Sequence, residues 1–181
     1  MRHTFLASIA ALTLTGCSSI VPSTLARLNL LDPMTADPAG FAVALEMDEG
    51  LGIQEGSVVF TVEVTHSPSG EIRGEDLVLV EDRSETGRLV YSISPEGVQA
   101  LTTMQTELLP WKETSDGNSV LTLTVVADGC LVDKDSIPED PRVSVFLQLA
   151  AEAPMRPLVQ NGALTAMFDV DDLAELPQCI G

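Results

Sequence analysis

The sequence predicts a mainly β protein: a β-sandwich, immunoglobulin-like in the broad sense, of about eight strands with one amphipathic helix near residues 95–109. Three observations predict this class. Short segments alternate apolar and polar residues with period two, clusters of turn-forming residues separate these segments, and one substantial segment has helical period. Many short strands combined with a single long helix favour a sandwich over an alternating α/β fold.

The first strands are predicted by alternation. In residues 41–45 the large apolar side chains of Phe41, Val43 and Leu45 alternate with smaller residues. Residues 57–65 are the clearest case, since Phe60, Val62 and Val64 lie on one face and polar side chains alternate with them. This pattern predicts one buried and one solvated face. A His-Ser-Pro-Ser-Gly cluster then predicts a turn. Shorter apolar runs predict further strands at 76–80 and 88–93.

The amphipathic helix is predicted to begin at Pro95 and to end before Pro110. Ser94 supplies a capping hydroxyl, Pro95 suits the first helical position, and Glu96 places a negative charge in the first turn. Apolar side chains then recur every three or four residues, at Val98, Leu101, Met104 and Leu108. We interpret this stripe as the face that packs on the core, and a surface for a partner helix is the alternative.

The C-terminal part is predicted to supply two central strands and a hairpin. Residues 120–127 and 143–149 alternate or run apolar. Asn161 and Gly162 separate the apolar residues 158 and 159 from the apolar residues 164, 167 and 168, and Asn-Gly is the strongest two-residue signal for a hairpin. Trp111 precedes both later cysteines, so the order Cys, Trp, Cys of true immunoglobulin domains is not met.

The first seventeen residues have the layout of a secretory signal with a processing site. Arg2 precedes an apolar segment at 5–14, and the sequence Leu-Thr-Gly-Cys ends at Cys17. This arrangement resembles the lipobox of bacterial lipoproteins. The resemblance implies that residues 1–16 are removed and that Cys17 is acylated on its thiol and on its new amino group. Two or more acyl chains would anchor the chain stably to a membrane.

Two other interpretations of this segment are a transmembrane helix and an ordinary cleaved signal peptide. The apolar run is shorter than the roughly 20 residues that a spanning helix needs. Gly16 would suit the ordinary peptidase too, but a cysteine directly after Leu-Thr-Gly favours lipidation. Ser18 and Ser19 follow, with no aspartate. In the lipoprotein class an aspartate there usually retains the protein in the inner membrane, so the resemblance implies an outer-membrane lipoprotein facing the periplasm.

We predict three segments: a signal peptide at 1–16, a tether at 17–40 and a single β-rich domain at 41–181. Prolines divide the tether into short pieces. Within it, leucines at 25, 28 and 31 recur at helical spacing after Ser23 and Thr24, whose hydroxyl groups could cap a short helix. That helix would pack on the domain or lie near the membrane.

The chain is strongly acidic, with 9 basic and 27 acidic residues and a net charge of −18. Removing residues 1–16 takes away Arg2 and no acid, which leaves 8 basic against 27 acidic residues, a net charge near −19. Such a charge excludes nucleic acid as a partner, because binding there depends on cations that neutralise phosphates. Anionic lipid head groups would also repel it. We therefore assign membrane attachment to the lipid and the charge to a solvated surface.

Two cysteines remain if lipid occupies Cys17. Cys130 and Cys179 form an even pair in an oxidising compartment, which predicts a disulfide that pins the C-terminal end of the chain to the fold. A zinc site is the alternative. The chain after residue 16 has one histidine, His66, and no Cys-x-x-Cys spacing, which disfavours that alternative.

Closely spaced carboxylates can bind calcium, and the candidate ligands in this chain are Asp133, Asp135 and Glu139. The segment departs from the calcium-loop pattern, since Ile137 stands where a third oxygen ligand belongs and Pro138 where the tight-turn glycine belongs. We therefore predict a polar loop and no metal site. A second acidic cluster at 169–172 is interpreted in the same way unless folding brings the two together.

The residues favour a binding function over catalysis. His66 lies at a predicted strand end, and no serine stands in a Gly-x-Ser-x-Gly turn, so nucleophilic catalysis lacks its usual set. No cofactor is predicted. The first hypothesis is a non-enzymatic envelope lipoprotein that binds or assembles another protein through an exposed strand edge. The alternatives are a module that binds a small ligand or a divalent cation, and a hydrolase with paired carboxylates.

Overall fold

The computed structural model describes residues 19–32, 34–83, 88–114, 119–166, 168, 172, 173 and 175–180. Within these ranges the helices and strands follow the chain in this order: α1 (Pro22–Leu28), β1 (Phe41–Met47), β2 (Leu51–Ile53), β3 (Val59–His66), β4 (Glu71–Arg83), β5 (Leu89–Ile93), α2 (Pro95–Thr114), β6 (Ser119–Val126), β7 (Gly129–Leu131), β8 (Arg142–Leu149) and β9 (Arg156–Ala163). Among the described residues, no helix combines the length and the apolar character that crossing a membrane requires.

The predicted mainly β class is confirmed, with two sheets of very unequal size. Seven strands form one antiparallel sheet in the order β6-β3-β4-β5-β1-β8-β9, and β2 and β7 form a small separate sheet. The large sheet curls, since side chains from its two edge strands, β6 and β9, line the same cavity. The result is a sandwich-like or half-barrel arrangement.

The core lies on the concave face of the large sheet, as the period-two pattern predicts. Phe60 on β3 is opposite Leu77 on β4 and Val125 on β6, so all three side chains share one face. Phe60 and Leu77 are buried. β4 has 13 residues, more than the predicted 76–80, because its first half pairs with β3 and its second half with β5. Backbone pairing thus extends this strand beyond its apolar run.

Helix α2 packs across this face and begins where predicted. The Ser94 hydroxyl accepts a hydrogen bond from the Gly97 N–H at 3.1 Å, and Leu101, Met104 and Leu108 are buried in the core. The interpretation of the apolar stripe as core packing therefore agrees with the structure.

The predicted end of α2 before Pro110 is wrong, since the helix continues through Pro110 to Thr114. A proline inside a helix removes one backbone hydrogen bond and usually kinks or breaks the helix. Here the extra turn places Trp111 against the core and stacks its ring on His66, with ring centroids 4.9 Å apart. We infer that this packing compensates for the proline.

The predicted hairpin at Asn161-Gly162 is also wrong, because both residues lie inside β9. The pairing of β8 with β9 is irregular there: two steps along β8, from Val143 to Val145, match three along β9, from Gly162 to Val159. Asn161 has a φ of 47°, a left-handed conformation that asparagine tolerates better than most residues. Its N–H donates to the Ser144 hydroxyl at 3.0 Å. The Asn-Gly pair therefore makes a β-bulge.

The N-terminal helix α1 is present, but Ser23 and Thr24 do not cap it. The helix begins at Pro22, and its N-cap residue, Val21, forms no side-chain hydrogen bond. Thr24 lies inside the helix and is buried, and its hydroxyl donates to the Pro157 carbonyl of β9 at 2.6 Å. The backbone just before α1 also pairs with β9, through Val21 N to Leu158 O at 2.8 Å. These contacts fix α1 against the edge of the large sheet.

The small sheet was not predicted from the sequence. β2 and β7 have three residues each, which is too short for alternation to reveal them. Leu131 at the end of β7 also pairs with Gln178, which brings the C-terminal segment onto this sheet. The Cys130–Cys179 disulfide joins the same two segments, in agreement with the cysteine count.

Candidate functional site

The concave face of the large sheet borders a partly open apolar cavity of about 350 Å³, which we call the inner cavity. All seven strands of the sheet contribute to it, together with α1. Every lining side chain is apolar: Leu28, Phe41, Ala42, Val43, Leu45, Phe60, Leu79, Ile93, Leu123, Val125, Ala127, Val145, Leu147, Leu149, Leu158 and Val159. Its volume falls within the range typical of small-molecule sites, roughly 300–1,000 Å³.

The inner cavity follows from the curl of the sheet and the modest size of its inward side chains. β6 and β9 face each other across it without pairing, since they are the two ends of the strand order. Most inward residues on these strands are Val or Leu, and helix α2 covers β3 and β4 elsewhere. Well-packed cores leave few voids larger than a water molecule. An apolar space of this size in a small domain is therefore a candidate site for an apolar ligand.

A second cavity of about 600 Å³ adjoins the first, and we call it the C-terminal cavity. Leu45 and Ala127 line both cavities, so the two spaces lie next to each other. The C-terminal cavity is also mainly apolar and is bordered by Leu173, Leu176 and Pro177 of the chain end. The disulfide and the Leu131 N to Pro177 O hydrogen bond, at 2.7 Å, hold that chain end in place.

The fold brings Asp172 of the second acidic cluster to this cavity, together with Asp128, which precedes the calcium-candidate segment. Asp128 and Asp172 both line it, and both are exposed. Asp169 and Asp171 lie outside the described residues. The cavity therefore has an acidic part beside its apolar walls.

The calcium candidates do not converge. Asp133 caps a short 3₁₀ helix, and its carboxylate accepts hydrogen bonds from the Asp135 N–H at 3.1 Å and the Ser136 hydroxyl at 2.5 Å. Both hydrogen bonds lower the pKa of Asp133, and the one from Ser136 has the larger effect. Asp135 and Glu139 are exposed. Within the described ranges, no group of three or more His, Cys, Asp or Glu residues could hold a metal ion.

The remaining predicted site residues fall in two places. Cys130 is buried, and its disulfide to Cys179 lies beside β2, where a Cβ added at Gly52 would be 2.9 Å from the Cys179 sulfur. A glycine is therefore needed at this point of β2 for the disulfide to fit. Cys17, the predicted lipidation site, lies outside the described residues.

Comparisons with protein-family models, with curated proteins and with solved structures give no match.

Sequence reasoning did not find the inner cavity. Its lining residues read as ordinary core positions, since alternation identifies the inward face of a strand but not whether another element fills the space in front of it. The composition carries one relevant signal. Aromatic residues make up 4% of the chain, so few large side chains are available to fill a curled sheet.

Proposed function

We propose that this protein is a cell-envelope lipoprotein, anchored to the outer membrane through Cys17 and facing the periplasm, that binds an apolar small molecule in its inner cavity. The observation that carries the binding function is a space of about 350 Å³ lined entirely by apolar side chains from all seven strands. None of the described lining residues carries a titratable or nucleophilic group, which supports binding over catalysis. The Leu-Thr-Gly-Cys sequence supports the anchor. The disulfide fits an oxidising compartment.

Two neighbouring valines of β6 allow a sharp test of ligand binding. Val125 lines the inner cavity, whereas Val126 is 55% exposed and, one position along the strand, points to the opposite face. Val125→Trp should fill part of the cavity and weaken binding of the neutral dye N-phenyl-1-naphthylamine about tenfold or more, since the apolar contact area is taken by the new side chain. Val126→Trp, the matched control, should leave the affinity unchanged.

The measurement is the rise in dye fluorescence during titration, with circular dichroism and thermal melting to show that both variants fold. If the unmodified chain does not enhance the dye, or if both tryptophan variants bind it equally well, the inner cavity is not a ligand site. Membrane anchoring is tested separately by metabolic labelling with a palmitate analogue, which should label the chain but not its Cys17→Ser variant.

A second candidate function, binding of a partner protein, is favoured by the open edge of β6. This strand pairs with β3 on one side, and in the described part of the chain no strand pairs with its other side. The opposite edge of the sheet differs, since residues 19–21 run beside β9. β6 carries no charged residue, although edge strands are usually protected by charges. Such an edge can accept a strand from a partner.

Two valines with the same exposure test the edge. Val120 on β6 and Val78 on β4 are each 57% exposed, but Val120 lies on the edge strand and Val78 on an interior strand. Val120→Lys should reduce the recovery of a partner cross-linked in the envelope, and Val78→Lys should not. Equal recovery from both variants would count against binding at this edge.

A further inference from the structure

A hollow of about 320 Å³ lies beside the inner cavity and has a different chemical character. It is lined by two arginines, Arg27 and Arg156, together with apolar residues that include Leu30 and Pro154. None of the described lining residues is acidic, and Glu152 of the adjoining loop is not among them. We call this space the arginine hollow. Only 8 basic residues follow Cys17, against 27 acidic residues, and two of the 8 lie in this hollow.

The arginine hollow and the inner cavity share a wall. Leu147 and Leu149 of β8 line both spaces. Two elements also contribute to both, since α1 supplies Arg27 to the hollow and Leu28 to the cavity, while β9 supplies Arg156 to the hollow and Leu158 to the cavity. A single ligand can therefore contact guanidinium groups at one end and apolar side chains at the other.

The two arginines are available for a ligand. Arg73, Arg88 and Arg142 each form an ion pair with a carboxylate. Arg27 and Arg156 form none with any residue that the structure describes, and both are exposed. The docking of α1 on β9, through the buried Thr24 hydroxyl and the Val21 N to Leu158 O hydrogen bond, holds these two positions near each other. Guanidinium groups bind carboxylates and phosphates through paired hydrogen bonds.

We propose that the ligand is an anionic amphiphile: an acyl or alkyl chain in the inner cavity, with a carboxylate or phosphate head group held by Arg27 and Arg156. This inference rests on the proposed binding function and adds the chemical class of the ligand. The strong negative charge of the chain opposes it only weakly, because exposed charges more than about 8–10 Å away are largely screened at physiological salt. At contact distance, the two arginines of the hollow dominate.

The test compares ligands with one chain and different heads: dodecanoate, dodecyl phosphate, neutral dodecanol and cationic dodecylamine, each used below its micelle concentration to displace N-phenyl-1-naphthylamine. The two anions should bind more tightly than dodecanol, and dodecylamine should bind most weakly. Arg27→Gln and Arg156→Gln should each reduce the affinity for the anions about fivefold, near the upper end for an exposed ion pair, and the double variant should bind anions and dodecanol alike. Arg73→Gln, which removes an exposed arginine outside the cavity linings, should change nothing.

The outcomes separate this inference from the binding function on which it rests. If dodecanol binds as tightly as the anions, or if the double glutamine variant keeps the preference for anions, the assignment of the head group is wrong although the cavity still binds apolar chains. If the dye itself does not bind, the binding function fails first. Tighter binding of dodecyl phosphate than of dodecanoate would point to a phospholipid source, and the reverse order to a free fatty acid.

Discussion

Removal of the disulfide, by Cys130→Ala together with Cys179→Ala, should lower the free energy of unfolding by about 4 kcal/mol. The cross-link joins residues 49 positions apart, and restricting a loop of about this length in the unfolded chain gives that magnitude at 25 °C. The chain end keeps other attachments in the variant. The Cys179 N–H donates to the Leu131 carbonyl at 2.9 Å, and the Gln54 side chain exchanges two hydrogen bonds with Ile180. We therefore expect a folded but less stable protein.

The assay is urea unfolding followed by circular dichroism, for the double alanine variant and the chain with both cysteines, each carrying Cys17→Ser so that the proposed lipid cannot interfere. Amide hydrogen exchange should show the largest loss of protection at Leu131 and at position 179, alanine in the variant, where the chain end pairs with β7. A loss of stability below about 1 kcal/mol with an unchanged slope against urea would refute the reasoning. It would mean that the disulfide does little to restrict the unfolded chain.

Three further predictions concern single residues. Thr24→Val should cost about 1–3 kcal/mol in urea unfolding, because it removes the buried hydroxyl that donates to the Pro157 carbonyl of β9, whereas Thr24→Ser should restore most of the loss. Gly40→Ala should cost about 1–3 kcal/mol in thermal melting, since the new Cβ would lie 2.4 Å from the Ala151 backbone nitrogen, and an unchanged melting temperature would contradict this. Ser136→Ala should raise the pKa of Asp133 toward its ordinary value of 3.8 in an NMR titration. In the unmodified chain, the ionised Asp133 carboxylate stabilises the fold at pH values above its unfolded pKa. This stabilisation is lost as the pH falls through the lower folded pKa, so the Ser136→Ala variant should lose less stability in acid.

Two errors of prediction have the same physical origin. Pro110 and the Asn161-Gly162 pair are strong local signals, one for the end of a helix and one for a hairpin turn. In the structure, helix α2 continues so that Trp111 packs on His66 and the core, and strand β9 continues because Asn161 bonds to Ser144 of β8. Contacts between distant parts of the chain outweighed local preference at both points.

The sequence by itself determined the mainly β class, the start of α2 and its buried face, and the pairing of Cys130 with Cys179. These follow from period, capping residues and cysteine count, which act over a few residues or on the whole composition. The inner cavity and the arginine hollow were decided by the tertiary structure alone. Both depend on how far a seven-stranded sheet curls and on the docking of α1 against β9, which places Arg27 near Arg156 from the other end of the chain. A pattern along one strand reports which face is apolar, but the distance to the opposite wall is set only when all the strands have assembled.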